Sequence, residues 1–243
     1  MTALAALGAL LQTTGLLAAA PLLRIAIRRM KARLQNRQGP PWRQGYSDLA
    51  KLFGKETVRS ETASWISVAG PRVYFAAALA ATTLVPVVVA AAPLESAGGI
   101  LLLVGALALG RFALAIAALD TGSPFGGMGA SRDMTIAALA EPALMLGLFT
   151  AALAVGSLNL GVLVRTILPL GPSFHPADLL AFAGLFIIVI AETGRIPVDN
   201  PATHLELTMI HEAMVLEYAG PDLALVEWGG AVKELLYLTL LAD

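Results

Sequence analysis

The chain has 243 residues, of which 57% are hydrophobic and only 14% charged, with a formal net charge of −1. A soluble domain of this length carries about a quarter charged residues, so this composition excludes an ordinary water-soluble fold and predicts an all-α, polytopic transmembrane helical bundle. Cysteine is absent, which excludes disulfides and any cysteine-held zinc or iron–sulfur centre in this chain.

A helix needs about 20 apolar residues to cross a hydrocarbon core. Six stretches approach or exceed that length, at 3–23, 68–92, 98–119, 134–156, 175–191 and 223–241, so residues 1–243 read as a single membrane domain. No basic residue precedes the first stretch and several follow it, which makes it an anchor span rather than a signal peptide. Ten of the sixteen basic residues fall between Arg24 and Arg59. The excess of basic residues in cytoplasmic loops then places the 24–64 loop inside and the N-terminus outside. In the same frame the 120–133 and 192–222 loops lie inside and the 157–174 connection outside. The last residues, Leu241-Ala242-Asp243, follow an apolar run directly, as expected of a shortened chain.

The first loop begins as a basic helix to about Arg37, which Gly39-Pro40-Pro41 breaks because proline cannot continue it. From Tyr46 to Lys55, the apolar residues Tyr46, Leu49, Ala50, Leu52 and Phe53 are spaced as one helical face. Such a segment either lies against anionic headgroups or docks a cytoplasmic partner. Nucleic acid does not fit basic residues tied so closely to membrane spans.

Glu141 stands inside the fourth span, just before Pro142. A charge near the bilayer centre costs about 2.5–3.5 kcal/mol on insertion scales, so this carboxyl is expected to face protein or water, neutral or exchanging a proton, or else paired with a neighbouring helix. Glu227, Lys233 and Glu234 all fall in the sixth stretch, which suits a helix lining a polar channel; Glu227 and Glu234, seven apart, share a face. Eight carboxylates lie between Glu192 and Glu234, opposed only by Arg195 and Lys233. On a helix through 200–219, Glu206 and Glu217 would face alike, as would His204 and His211, with Glu212 pointing elsewhere. Carboxylates and histidines strung together can pass protons through intervening water.

Two other motifs fail. His211-Glu212 opens like a zinc-protease signature, but Val215 stands where the second histidine belongs, and no metal site is expected. The glycine-rich 122–129 stretch follows no strand and lacks the Lys-Ser/Thr of a phosphate loop, so it reads as a flexible connection between spans.

Three blocks together resemble a known family: the membrane subunit shared by respiratory complex I (its subunit-1, or H-type, component) and the membrane-bound group 4 nickel–iron hydrogenases. QNRQGPPWRQGYSDLAKLFGKE at 35–56 is similar to that family's first cytoplasmic loop. SRDMTIAALAE at 131–141 is similar to its span with a buried glutamate. AETGRIPVDNPATHLELTMIHEAMVLEYAG at 191–220, with VEW at 226–228, is similar to its acidic A-E-x-x-R-x-P-F-D region. The last block leans toward the formate hydrogenlyase and hydrogenase-4 branch. Complex I members place several glutamates after that element, whereas here Glu206 alone remains and His204 stands in place of an acid, which argues against a quinone.

The resemblance implies a multi-pass subunit of the inner (cytoplasmic) membrane that anchors a redox arm and couples it to proton or ion translocation. Glu141, Glu192, Glu206, Glu217 and Glu227 match the family's proton-linking glutamates, and Glu212 belongs to the hydrogenase-type version. The two cytoplasmic loops, with Arg37, Gly39, Pro40, Asp48, Lys51, Arg195 and Asp199, would dock hydrogenase-like large and small subunits. Antiporter-like membrane subunits would complete the assembly within the lipid bilayer. The NiFe centre and Fe–S clusters would sit in the partners and no cofactor in this chain, which is not catalytic by itself. The alternatives are a quinone-site subunit of a complex I-type NADH or ferredoxin dehydrogenase, and a scaffold that moves no ions. Family members carry about two further spans beyond the point where this sequence stops.

Overall fold

The computed structural model describes residues 3–87, 99–170, 175–199 and 209–242. It is all-helical among those residues: α1 Ala3–Leu34, α2 Gln44–Phe53, α3 Trp65–Leu84, α4 Ile100–Asp120, α5 Pro124–Val155, α6 Leu160–Ile167, α7 Pro176–Glu192, α8 Ile210–Val215 and α9 Gly220–Ala242. A 3-10 turn at Leu168–Leu170 follows α6. Over Leu10–Leu34 of α1, and along α4 and α5, the helices are long and apolar enough to cross a membrane. Leu139, Leu146 and Leu153, seven apart on the outer side of α5, are exposed as a lipid-facing stripe would be.

α3 and α4 pack side by side, and α9 lies against α3, α1, α2 and α7, while α5 packs on α4, α7 and α8. The main core joins Leu103 and Val104 of α4, Ala78 and Ala81 of α3, Leu144 and Leu148 of α5, and Val232 and Leu236 of α9. At one end, the Asp120 carboxylate accepts the backbone N–H of Ser64 at 2.8 Å and of Ser67 at 3.1 Å. The C-terminus of α4 thus holds the N-terminus of α3, supplying an acceptor to donors that a helix start leaves unpaired.

Several elements differ from the sequence expectation, each for a local reason. The first span does not stop at 23: α1 runs through Pro21 to Leu34 and carries the basic segment on the same helix. Proline at 21 cannot donate to the Leu17 carbonyl. Trp228 Nε1 of α9 donates to that carbonyl instead, at 2.9 Å, and the Tyr46 hydroxyl of α2 donates to the neighbouring Ala18 carbonyl. The proline is thereby tolerated, and α2 and α9 are fixed against α1. Within the second stretch, helix α3 ends at Leu84, because Pro86 biases Val85 to extended backbone (φ −93°, ψ 124°); residues 88–92 lie outside the described residues.

The glycine-rich 122–129 stretch is not a flexible connection. From Pro124 onward it is the first turns of α5, with proline at the favoured first helical position. Nor does one helix run through 200–219. Met209 is extended (φ −64°, ψ 146°), α8 starts at Ile210 and ends at Val215, and Glu217 lies in the turn beyond it. Glu206 and His204 lie outside the described residues.

The first loop is pinned to α9. Gly220 has φ +60°, and a Cβ there would sit 2.7 Å from the Glu56 carbonyl oxygen and 2.9 Å from that of Lys55. Asp222, buried at 3% exposure in the first turn of α9, pairs with Arg59 at 3.0 Å and Arg72 at 3.6 Å.

Candidate functional site

The site begins with the spacing of α9. Glu227 and Glu234, on one face two turns apart, share the guanidinium of Arg24 from α1: Nη1 is 2.6 Å from Glu227 and Nε 3.4 Å from Glu234. Gly230 makes this approach possible, since a Cβ there would lie 2.6 Å from Arg24 Nη2. Arg195, just past the end of α7, donates to the other oxygen of Glu234.

Lys233, next to Glu234 on α9, reaches Glu192 at the end of α7, its ammonium 2.8 Å away. The Glu192 side chain is 1% exposed and also accepts from Arg111 of α4, itself 7% exposed. Arg111 reaches two further acids, both on α5: Glu141 at 3.5 Å and Asp133 at 3.7 Å. Taking such charges from water costs several kcal/mol each, and only mutual pairing makes the burial tolerable. The result is a chain of alternating charge, Glu141–Arg111–Glu192–Lys233, continued by Glu234 and Glu227 of α9 with Arg24 of α1 between them.

Except for Glu141, which reaches it only through Arg111, these groups line a cavity of about 440 Å³ among α1, α4, α5, α7, α8 and α9. Its walls also hold Arg28, Lys31, Asp199, His211 and Glu212. Burial pushes the His211 imidazole below its ordinary range, against the opposing pull of Glu227. Its Nε2 is buried with no hydrogen-bond partner among the described residues. Burial, with the fields of Asp222 and Asp120, pushes the Tyr218 hydroxyl up.

Of the carboxylates expected from sequence, the fold brings Glu141, Glu192, Glu212 and Glu227 to this cavity or its ion pairs. Glu217 is exposed in a turn and does not line the cavity, and Glu206 lies outside the described residues. Glu141 is not isolated in its apolar span: its side chain is 32% exposed and faces Arg111 of the neighbouring helix α4.

The residues expected to dock partners divide. Arg37 and Lys51 are exposed, while Gly39, Pro40 and Asp48 are half-buried, Asp48 accepting from Gln44 at 2.7 Å. Arg195 and Asp199 line the inner cavity; Asp199, at 3% exposure, accepts the Ile210 N–H at 3.0 Å and caps α8.

Sequence reasoning passed over Arg24, Arg111 and Asp133. Arg111 carried the same signal as Glu141, a lone charge inside an apolar run. Arg24 read as the first of many loop cations, and only the continuation of α1 shows that it points into the bundle.

The class that the fold and site define is an all-helical, membrane-type bundle with ion-paired carboxylates and cations gathered beside a cavity. The family model described as NADH dehydrogenase matches residues 7–243, and the chain belongs to that family. It is 37% identical to formate hydrogenlyase subunit 4 of Escherichia coli (strain K12), over 95% of this chain and 74% of that one. It is 34% identical to hydrogenase-4 component C of the same organism, over 96% and 72%. The H-type subunit of the NADH-quinone oxidoreductase of Rhodospirillum centenum is 31% identical over 75% of this chain and 56% of its own length. The fold is shared with a chain of the archaeal membrane-bound sulfane sulfur reductase, a respiratory membrane complex, at TM-score 0.78 and 23% identity, covering 96% of this chain and 77% of that one. The chain is thus a membrane subunit related to those of hydrogenase-type and complex I-type respiratory assemblies.

Proposed function

We propose that this chain is the membrane-anchoring and ion-coupling subunit of a membrane-bound nickel–iron hydrogenase or formate hydrogenlyase-type complex in the inner membrane. The observation that carries the reading is the Glu141–Arg111–Glu192–Lys233 chain beside the Glu227–Arg24–Glu234 cluster, all but Glu141 lining one cavity. Charge changes in a redox arm docked at the cavity would shift the protonation of these carboxylates, because each is paired with a specific cation whose field the arm's charge opposes or reinforces. The similarity to formate hydrogenlyase subunit 4 and to hydrogenase-4 component C supports that branch. Hydrogenase-like large and small subunits would dock on the first loop and the segment after α7, and antiporter-like subunits along the membrane face. The NiFe centre and Fe–S clusters belong to those partners.

Glu141→Gln tests the coupling role. The complex should still assemble, with the ratio of ions moved to electrons transferred falling at least tenfold. An unchanged ratio would favour a scaffold that moves no ions.

One observation favours a quinone site instead. A second cavity of about 260 Å³ lies between α1, α2 and α9, lined by Pro21, Ile25, Leu49, Leu52 and Trp228 together with Arg24, Arg28, Asp48 and Glu227. Organic extraction of the purified complex decides between the readings: stoichiometric quinone supports the complex I-type function, and its absence the hydrogenase type.

A further inference from the structure

Arg111 is spread unusually thin. Its guanidinium touches Glu192 closely through Nη2, reaches Glu141 only at 3.5 Å through Nη1, and comes no nearer than 3.7 Å to Asp133 through Nε. That Nε is buried and has no hydrogen bond. A guanidinium is a rigid fork suited to paired contacts with one carboxylate, and a buried donor left unbonded is costly. Glu192 meanwhile has a second cation, Lys233 at 2.8 Å, and Tyr237 of α9 also faces it. Asp133 and Glu141, eight residues apart on one face of α5, have Arg111 as their one described ion-pair partner.

From this geometry we infer that Arg111 is a positioning residue with two resting places, Glu192 at the end of α7 and the Asp133–Glu141 pair on α5. The inference rests on the coupling function proposed above. In the present arrangement the guanidinium holds Glu192. When added negative charge on the docked redox arm makes Glu192 take a proton from water in the cavity, its attraction for Arg111 falls, and Lys233 remains beside it. A shift of about 1 Å brings Nε into hydrogen-bonding distance of Asp133 and tightens the Glu141 contact.

The proton balance is closed. One proton joins a Glu192 carboxylate oxygen, and Arg111 and Lys233 keep theirs. No proton leaves Asp133 or Glu141 in this step, so the cluster's charge rises by one. The proton goes back to cavity water when Glu192 ionises again and Arg111 returns to it.

The test is an experimental structure of the assembled complex with Glu192→Gln, which fixes that side chain in an uncharged form. Arg111 bonded to Asp133 and Glu141, at about 2.9 Å, is the expected result. Arg111 still against residue 192, with its distances to Asp133 and Glu141 unchanged, overturns the inference. If Glu192→Gln does not assemble, Arg111→Lys serves in its place. An ammonium cannot bridge both resting places, so the ion-to-electron ratio should fall at least tenfold; a native ratio overturns the inference. A guanidinium that moves in Glu192→Gln while ion transport stays native would leave the two-position arginine intact and refute the coupling function instead.

Discussion

Trp228 Nε1 donates to the carbonyl of Leu17 at 2.9 Å, joining α9 to the one turn of α1 that Pro21 leaves short of a hydrogen bond. The indole also lies against Phe75, with ring centroids 5.1 Å apart and planes tilted by 42°, and meets Phe53 of α2 edge-on at 6.4 Å. A helix defect is thereby turned into the junction of α1, α2, α3 and α9, directly beside the Arg24 ion pairs.

Trp228→Phe keeps an aromatic ring and removes the donor. Leaving the Leu17 carbonyl without its partner should cost about 1–3 kcal/mol. Thermal unfolding of the purified complex in mild detergent checks this: the midpoint falls for Trp228→Phe and stays unchanged for Trp65→Phe, whose side chain is exposed.

Gly220→Ala should be among the most damaging small changes. It combines a positive φ with a Cβ 2.7 Å from the Glu56 carbonyl oxygen. Left-handed backbone alone costs an alanine about 1–2 kcal/mol, and the carbonyl contact adds to it. Gly156→Ala, at φ +76° but with open space around its Cβ, is the matched control and should lose less. The amount of folded protein recovered in membranes compares the two.

Asp222→Asn should loosen the first loop without dismantling the bundle. Arg59 and Arg72 lose a buried countercharge, and the pinning of 55–59 to α9 weakens. Asp222 is buried but both arginines are largely exposed, so the loss is modest, about 1 kcal/mol. Limited proteolysis reads this directly: trypsin should cut after Lys55 and Arg59 faster in Asp222→Asn than in the parent.

The His211 ring gives a pH dependence of known sign. Its folded-state pKa is lowered by burial, so the unfolded chain binds the extra proton first. Stability is therefore full above the unfolded value of about 6.5 and falls as pH drops through it toward the folded value. His211→Phe should flatten that loss in denaturation measured between about pH 7.5 and 5.5. An equal slope in both proteins would show that His211 does not titrate across folding.

How much of this was legible in the sequence depends on the range of the interaction. Glu227 and Glu234 announce a shared face by their spacing, and the α2 face from Tyr46 to Phe53 announces a helix, because both are local. The all-helical class follows from apolar run length alone. The pairing of Arg111 with Glu192 spans 81 residues and joins two helices that no local pattern connects. The continuation of α1 through Pro21 was hidden because its compensation comes from Trp228, 211 residues away. Conversely, the 122–129 glycines suggested a loop, and the packing of α5 against α4 and α8 overrides their weak helix preference.

The central claim is that these buried ion pairs couple charge rather than only hold helices together. Its most direct test is the ratio of ions moved to electrons transferred by the complex carrying Glu192→Gln, reconstituted in sealed vesicles and compared with the parent. The account predicts an assembled complex whose ratio falls at least tenfold. A complex that assembles and keeps the parent ratio would contradict it and make the network a structural scaffold.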